Sequence, residues 1–250
     1  VAEGLRVGAN VVLLERDDST LPTVGSRTVP SLTIEVEATS VVVLGHFNPS
    51  ILSPAWFAAH ELIASDDADD ADVDAIVREL AAFSTALFEI RCTFDQLVVT
   101  TSKAPAPEMV QDLALGTLRL LSHTPVGALG INRTFHVRMP SEETWNALGH
   151  RLVPRDNWGF LKEPGMRSLG VQSQRPDELE GRVNVRVEPS ARFHPGVFLE
   201  VNDHFSVSPT PTSEGCERAT AVIADEWAAS MARADAIFDS VLNQANGQQA

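Results

Sequence analysis

Twelve residues late in the chain, GVFLEVNDHFSV at 196–207, alternate apolar and polar side chains. Neighbouring side chains on a strand point to opposite faces, so Val197, Leu199, Val201, Phe205 and Val207 share one face while Phe198, Glu200, Asn202, His204 and Ser206 share the other. A strand of this kind must be covered on one side only. The preceding stretch, GRVNVRVEP at 181–189, does the same, with Val183, Val185 and Val187 inward and Asn184, Arg186 and Glu188 outward. Together the two strands present a polar pavement opposite an apolar face. Asp203 breaks the pattern by falling on the apolar side. A buried carboxylate is costly unless paired, so the expectation is a bulge or a buried arginine or amide to meet it.

Apolar cover is available from helices. Ile223, Trp227, Met231, Ala234, Phe238 and Val241 recur at spacings of three and four, predicting a long helix over 217–243. Val110, Leu113, Thr117, Leu120 and Leu121 give the inner side of another from Glu108. Ser53 and Pro54 cap and open a short helix through AWFAAHELIA, with Trp56, Ala59, Leu62 and Ile63 on one face. Val73, Ile76, Val77 and Leu80 also recur at helical spacing. Strands are predicted from Ser31 into VVVLGHF, with continuous burial or a hairpin about Thr39, then at 88–94, 97–101, 126–139 and 166–174. A short strand is predicted at VVLL, 11–14.

Two segments resemble one another. SPAWFAAHELI at 53–63 and SEETWNALGHRLV at 141–153 each open on a possible capping serine and carry tryptophan, histidine and leucine in similar order. The expected fold is therefore α+β, a mainly antiparallel sheet packed against helices, built as two diverged β-α-β-β-α-like repeats with a long C-terminal helix. Residues 1–30 form an irregular lead-in, 31–125 the first repeat and 126–250 the second, the two forming either separate units or one continuous domain. The order of elements resembles the duplicated sheets of TATA-binding-protein-like architecture, a likeness of layout that brings no DNA-binding residues with it.

A formal charge of −15 opposes contact with a phosphate backbone, so nucleic acid is not an expected partner. The charge is uneven: residues 61–79 carry eight acidic side chains against Arg78, whereas 131–192 carry ten Arg and Lys against eight Asp and Glu. The acidic arm could meet a basic surface of the same or another subunit. No apolar run reaches the roughly 18 residues of a membrane helix and no leader pattern opens the sequence, so an acidic, soluble, cytoplasmic protein without membrane contact is expected. Cys92 and Cys216 are too few for a disulfide framework and read as free thiols.

Compact catalytic signatures are missing. HELIA at 60–64 has Ala64 where a zinc-protease helix needs its second histidine, and the aspartates at 70, 72 and 74 lack the glycine and glutamate of a calcium loop. Neither a phosphate-binding glycine loop nor a nucleophile elbow occurs. No cofactor or metal is expected. Glu200 cannot orient His204 as in a triad, since residues four apart on a strand stand about 13 Å apart. The expectation is a non-enzymatic interaction protein, self-associating or part of a protein complex. The alternative is a small-molecule enzyme or ligand sensor with a cleft between the halves. The candidate contact residues are Asn184, Arg186, Glu200, Asn202, Asp203 and His204 on the strands, Arg192 on the loop between them, and His60 and His150 as symmetry-related positions.

Overall fold

The computed structural model describes residues 28–29, 32–101 and 107–246. The strand expected at 11–14 lies outside them. Among the described residues ten strands form one sheet: β1 (Thr28–Val29), β2 (Leu32–Gly45), β3 (Asp72–Ile76), β4 (Ala81–Ser84), β5 (Glu89–Cys92), β6 (Gln96–Thr101), β7 (Val126–Arg138), β8 (Leu169–Gln174), β9 (Gly181–Pro189) and β10 (Gly196–Ser206). The order across the sheet is β3-β4-β5-β6-β2-β7-β10-β9-β8, with β1 beside β2, and every pairing is antiparallel. Among the described residues five α-helices accompany it: α1 (Pro54–Ala59), α2 (Ser65–Asp69), α3 (Pro107–Leu120), α4 (Glu142–Leu152) and α5 (Ser213–Asn243). The protein is thus α+β with a long C-terminal helix.

The two longest strands, β2 and β7, sit side by side at the middle and pair from Thr33↔Arg138 to Gly45↔Val126. Burial on both faces explains why VVVL in β2 is continuously apolar. Val41 and Val43 join the core under the helices, and Val42, on the reverse face, is also buried. No hairpin forms at Thr39; instead a bulge between Ile34 and Val36 shifts the strand's register against β7.

Side chains on one face of the sheet meet the helices in two main apolar clusters. The first joins Val41, Leu97, Val99, Leu129 and Phe205 to α1, α3 and the first half of α5 through Phe57, Leu118, Ile223 and Trp227. The second joins Phe135, Val137, Val187 and Leu199 to α4 and the end of α5 through Leu148, Phe238 and Leu242. In α3, Leu118 is fully buried and Leu120, expected inside, is 45% exposed.

The segment 73–80 is not a helix. Val73 and Ile76 lie in β3, and Val77 N–H donates to the Leu80 carbonyl at 2.8 Å to close the turn into β4. Beta-branched residues at helical spacing across a hairpin produce the same periodicity by coincidence. The helix from Pro54 also stops earlier than expected. Leu62 N–H returns to the Phe57 carbonyl and Glu61 N–H to that of Ala58, a Schellman closure in which Glu61 takes the left-handed position at φ 58°. α4 begins as expected, with Ser141 accepting from the Thr144 amide, whereas α5 starts four residues before the expected 217, where Thr212 accepts from the Gly215 amide.

Candidate functional site

The polar pavement lies on the face of the sheet turned away from the helices, and it is wider than two strands. Register places Ser40 (β2), Asn132 (β7), Asn202 (β10), Asn184 (β9) and Gln172 (β8) in one row. Each amide donates to the next in the same sense. Gln172 Nε2 donates to Asn184 Oδ1 at 2.8 Å, Asn184 Nδ2 to Asn202 Oδ1 at 2.9 Å, Asn202 Nδ2 to Asn132 Oδ1, and Asn132 Nδ2 to Ser40 Oγ at 3.2 Å. Arg182 donates to Gln172 Oε1 at the outer end. Hydrogen bonds aligned head to tail polarise one another, so the row is a rigid dipolar chain across five strands. Gly130 leaves it room, since a Cβ there would stand 2.6 Å from Asn202 Nδ2. Exposure falls along it: Gln172 is exposed, Asn184 and Asn202 half-buried, and Asn132 and Ser40 only 6% and 4% exposed.

Rows on either side add charge and imidazoles. Glu200 lies between Thr134 and Arg186 and accepts from Arg186 Nε at 2.7 Å. Burial raises the Glu200 pKa, and Arg186 works against that rise. Phe198 carries the Arg186 guanidinium 5.0 Å from its ring centre on one side and the His136 ring at 4.9 Å on another. His136 is buried, and its Nδ1 lies 2.9 Å from Ser190 Oγ. Burial, with Arg192 nearby, pushes its pKa down to about 4, so it is a neutral ring at pH 7. His204, in the row with Gly130 and Arg182, is also pushed down, by burial and then by Arg182 and Arg175. Among the described residues its buried Nδ1 has no hydrogen-bond partner.

Asp203 belongs to the other face. It is 1% exposed under α5, where the Arg175 and Arg233 guanidinium groups each pair with one of its oxygens and Ser230 Oγ donates at 2.7 Å. Arg175 lies 3.7 Å over the Phe205 ring and also holds Asp177, whose carboxyl is kept below the usual range chiefly by that hydrogen bond. Arg133, buried on the same face, pairs with Glu37 and with Asp235 of α5. These ion pairs meet α5 over residues 230–235, between the stretches that enter the two apolar clusters.

Asn184, Arg186, Glu200, Asn202 and His204 therefore come together as expected from their alternation, and Asp203 is buried against arginines. Arg192 is exposed on the loop after β9, within electrostatic reach of His136. His60 and His150 do not join the site. Both are exposed on the helical layer, and His60 Nδ1–H donates to the Trp56 carbonyl at 2.8 Å while its ring rests on Trp56. Ser40, Asn132, Thr134, His136 and Gln172 were missed as contributors. Asn132, Thr134 and His136 carry the same spacing-two signal as β10, but Arg133 on the apolar side disguises it.

Among the described residues no three His, Cys, Asp or Glu side chains gather as a metal site, and no helix is long and apolar enough to cross a membrane. The thiols of Cys92 and Cys216 are buried; burial pushes the first up to about 12 and raises the second. No protein-family model matches the chain, and no curated protein matches it either.

Proposed function

We propose that this protein is a non-catalytic binding protein whose contact surface is the helix-free face of β10, β9 and β8, backed by the buried polar residues of β7. The observation that carries the reading is the one-directional amide row from Gln172 to Ser40, flanked by the Arg186–Glu200 pair. Its polar groups are spent on orienting one another, which favours a preorganised recognition surface over a site poised to move protons. Ser190 follows the same logic: its oxygen accepts from the Arg192 and Phe193 amides, the work of a turn residue rather than a nucleophile.

A photoactivatable side chain in place of Arg186, compared with one in place of the exposed Asp239 on α5, tests the reading in the native cell. A discrete adduct from position 186 and none from 239 is expected. Equal labelling from both positions would count against it. One observation favours a ligand-sensing reading of the same face, the buried and unpartnered His204 Nδ1. Thermal stabilisation by a small hydrogen-bonding metabolite, lost in His204→Phe, would select that reading.

We also propose that the described residues carry the expected repeat. Outward from the central pair the strands run β2-β6-β5-β4 on one side and β7-β10-β9-β8 on the other, and each central strand is followed by a serine-capped helix with a tryptophan, Trp56 or Trp145. This supports 31–125 and 126–250 as diverged copies of one unit, with α2 and β3 added to the first. The cytoplasm is the compartment proposed for it, in keeping with two buried free thiols.

A further inference from the structure

The sheet ends differently at its two sides. At one end, β3 carries Asp72 and Asp74, a bulge against β4 between Val73 and Ala75, and the acidic run from Asp66 just before it. Charge and bulging are the devices by which natural edge strands refuse further strands. At the other end, β8 has none of them. Its sequence LGVQSQ contains no charge and no proline, and it holds unbroken register with β9 over all six residues. Among the described strands it pairs with β9 alone.

Exposed apolar side chains flank the same strand along the chain. Trp158 (43%), Phe160 (78%) and Leu161 (50%) stand in the loop that leads into β8, Val171 (52%) lies on it, and Leu179 (40%) follows it before β9. Charge then selects the occupant. A chain of −15 repels its own copies over most of its surface, but residues 151–182 hold six Arg and Lys against five Asp and Glu. The β8 edge is thus a place where two acidic copies can approach with the least of that penalty.

We propose that β8 is a homodimer edge: two copies pair β8 antiparallel about a two-fold axis normal to the sheet, making one continuous sheet from two. An isologous contact of this kind closes on itself and stops at two. Opposite residues of an antiparallel pair share a face, so either Val171 or Gln172 meets its own copy at the axis. The pairing uses the backbone edge of β8, whose Gln172 also opens the amide row, whereas Arg186 lies on β9, so labelling at position 186 and dimerisation at β8 are read separately.

Sedimentation equilibrium on the full chain is the test. The wild type is expected to be dimeric, and more tightly so as salt screens the repulsion between copies. Val171→Lys, present twice in the dimer at about tenfold each, is expected to raise the dissociation constant about 100-fold. Asp70→Lys, near the other edge, is expected not to weaken the dimer. Cysteine placed at 171 or at 172 is expected to give an oxidised dimer from one of the two, while Cys92 and Cys216 stay buried. A monomeric wild type, an unaltered dimer in a Val171→Lys variant that retains its circular dichroism, or no cross-link from either cysteine overturns the proposal.

Discussion

Ser230 on α5 and Asp203 on β10 are joined by a 2.7 Å hydrogen bond inside a cluster that also brings two arginines to the same carboxylate. The cluster clamps the longest helix to the sheet between two apolar cores. Removing Asp203 leaves two guanidinium groups, one of them on an almost fully buried side chain, with only the more exposed Asp177 between them. Asp203→Ala is expected to destabilise the fold by about 3–5 kcal/mol, read from urea midpoints. The triple change Asp203→Leu, Arg175→Met and Arg233→Met is expected to recover much of that loss, because it removes the buried charges together and leaves only Asp177, whose side chain is 29% exposed, without its partners. A single substitution costing under 1 kcal/mol would show that water reaches the arginines.

His136 makes stability depend on pH in a defined direction. Its folded pKa lies near 4 against an ordinary 6.5, so as pH falls through this window the unfolded chain takes up a proton that the folded chain refuses. Stability from this group is intact above pH 6.5 and declines toward pH 4. The expected loss between pH 7.5 and pH 5 is about 2 kcal/mol, and about 3 kcal/mol in full. His136→Gln is expected to flatten the profile by that amount, with His204 contributing a further fall of the same sign. Parallel profiles for wild type and variant would exclude His136 as the source.

The amide row predicts coupling between neighbours. Asn202→Ala deprives Asn132 Oδ1 of its donor and Asn184 Nδ2 of its acceptor, at an expected cost of about 1–3 kcal/mol. Combined with Asn184→Ala, the losses are expected to fall short of additivity by about 1 kcal/mol in a double-mutant cycle. Strict additivity would mean that the side chains stand side by side without interacting.

How much of this was legible follows from what each signal measures. Alternation at 181–189 and 196–207 reports which face a side chain takes, and it placed Glu200, Asn202 and His204 together and Asp203 apart. It does not report which strand lies alongside. That β7 stands between β2 and β10, so that Asn132 meets Asn202, depends on a crossover through α4, β8 and β9 that no local pattern encodes. The arginines that neutralise Asp203 come from 28 and 30 residues away, so their need was readable and their identity was not. His60 and His150 stand apart from the pavement because similar order along two helices fixes symmetry-related positions and not proximity to one face of the sheet. Each sits near the exposed end of its helix, and the sheet separates both from the pavement.

The early end of α1 offers the last test, since it too escaped the sequence. Helices that close by a Schellman turn usually place glycine at the left-handed position, and the absence of one after Ala59 gave no stop signal. Glu61 occupies that position at φ 58°, a conformation that costs a side chain-bearing residue about 1–3 kcal/mol. Glycine removes the strain but gives the unfolded chain about 0.4–1 kcal/mol of additional entropy to lose. Glu61→Gly is therefore expected to stabilise the protein by about 0.5–1 kcal/mol, seen as a raised urea midpoint with unchanged slope. Glu61→Val, whose β-branched side chain fits the position worse, is expected to move the midpoint the other way. If glycine lowers the midpoint instead, the Glu61 side chain contributes more to the turn than its backbone costs.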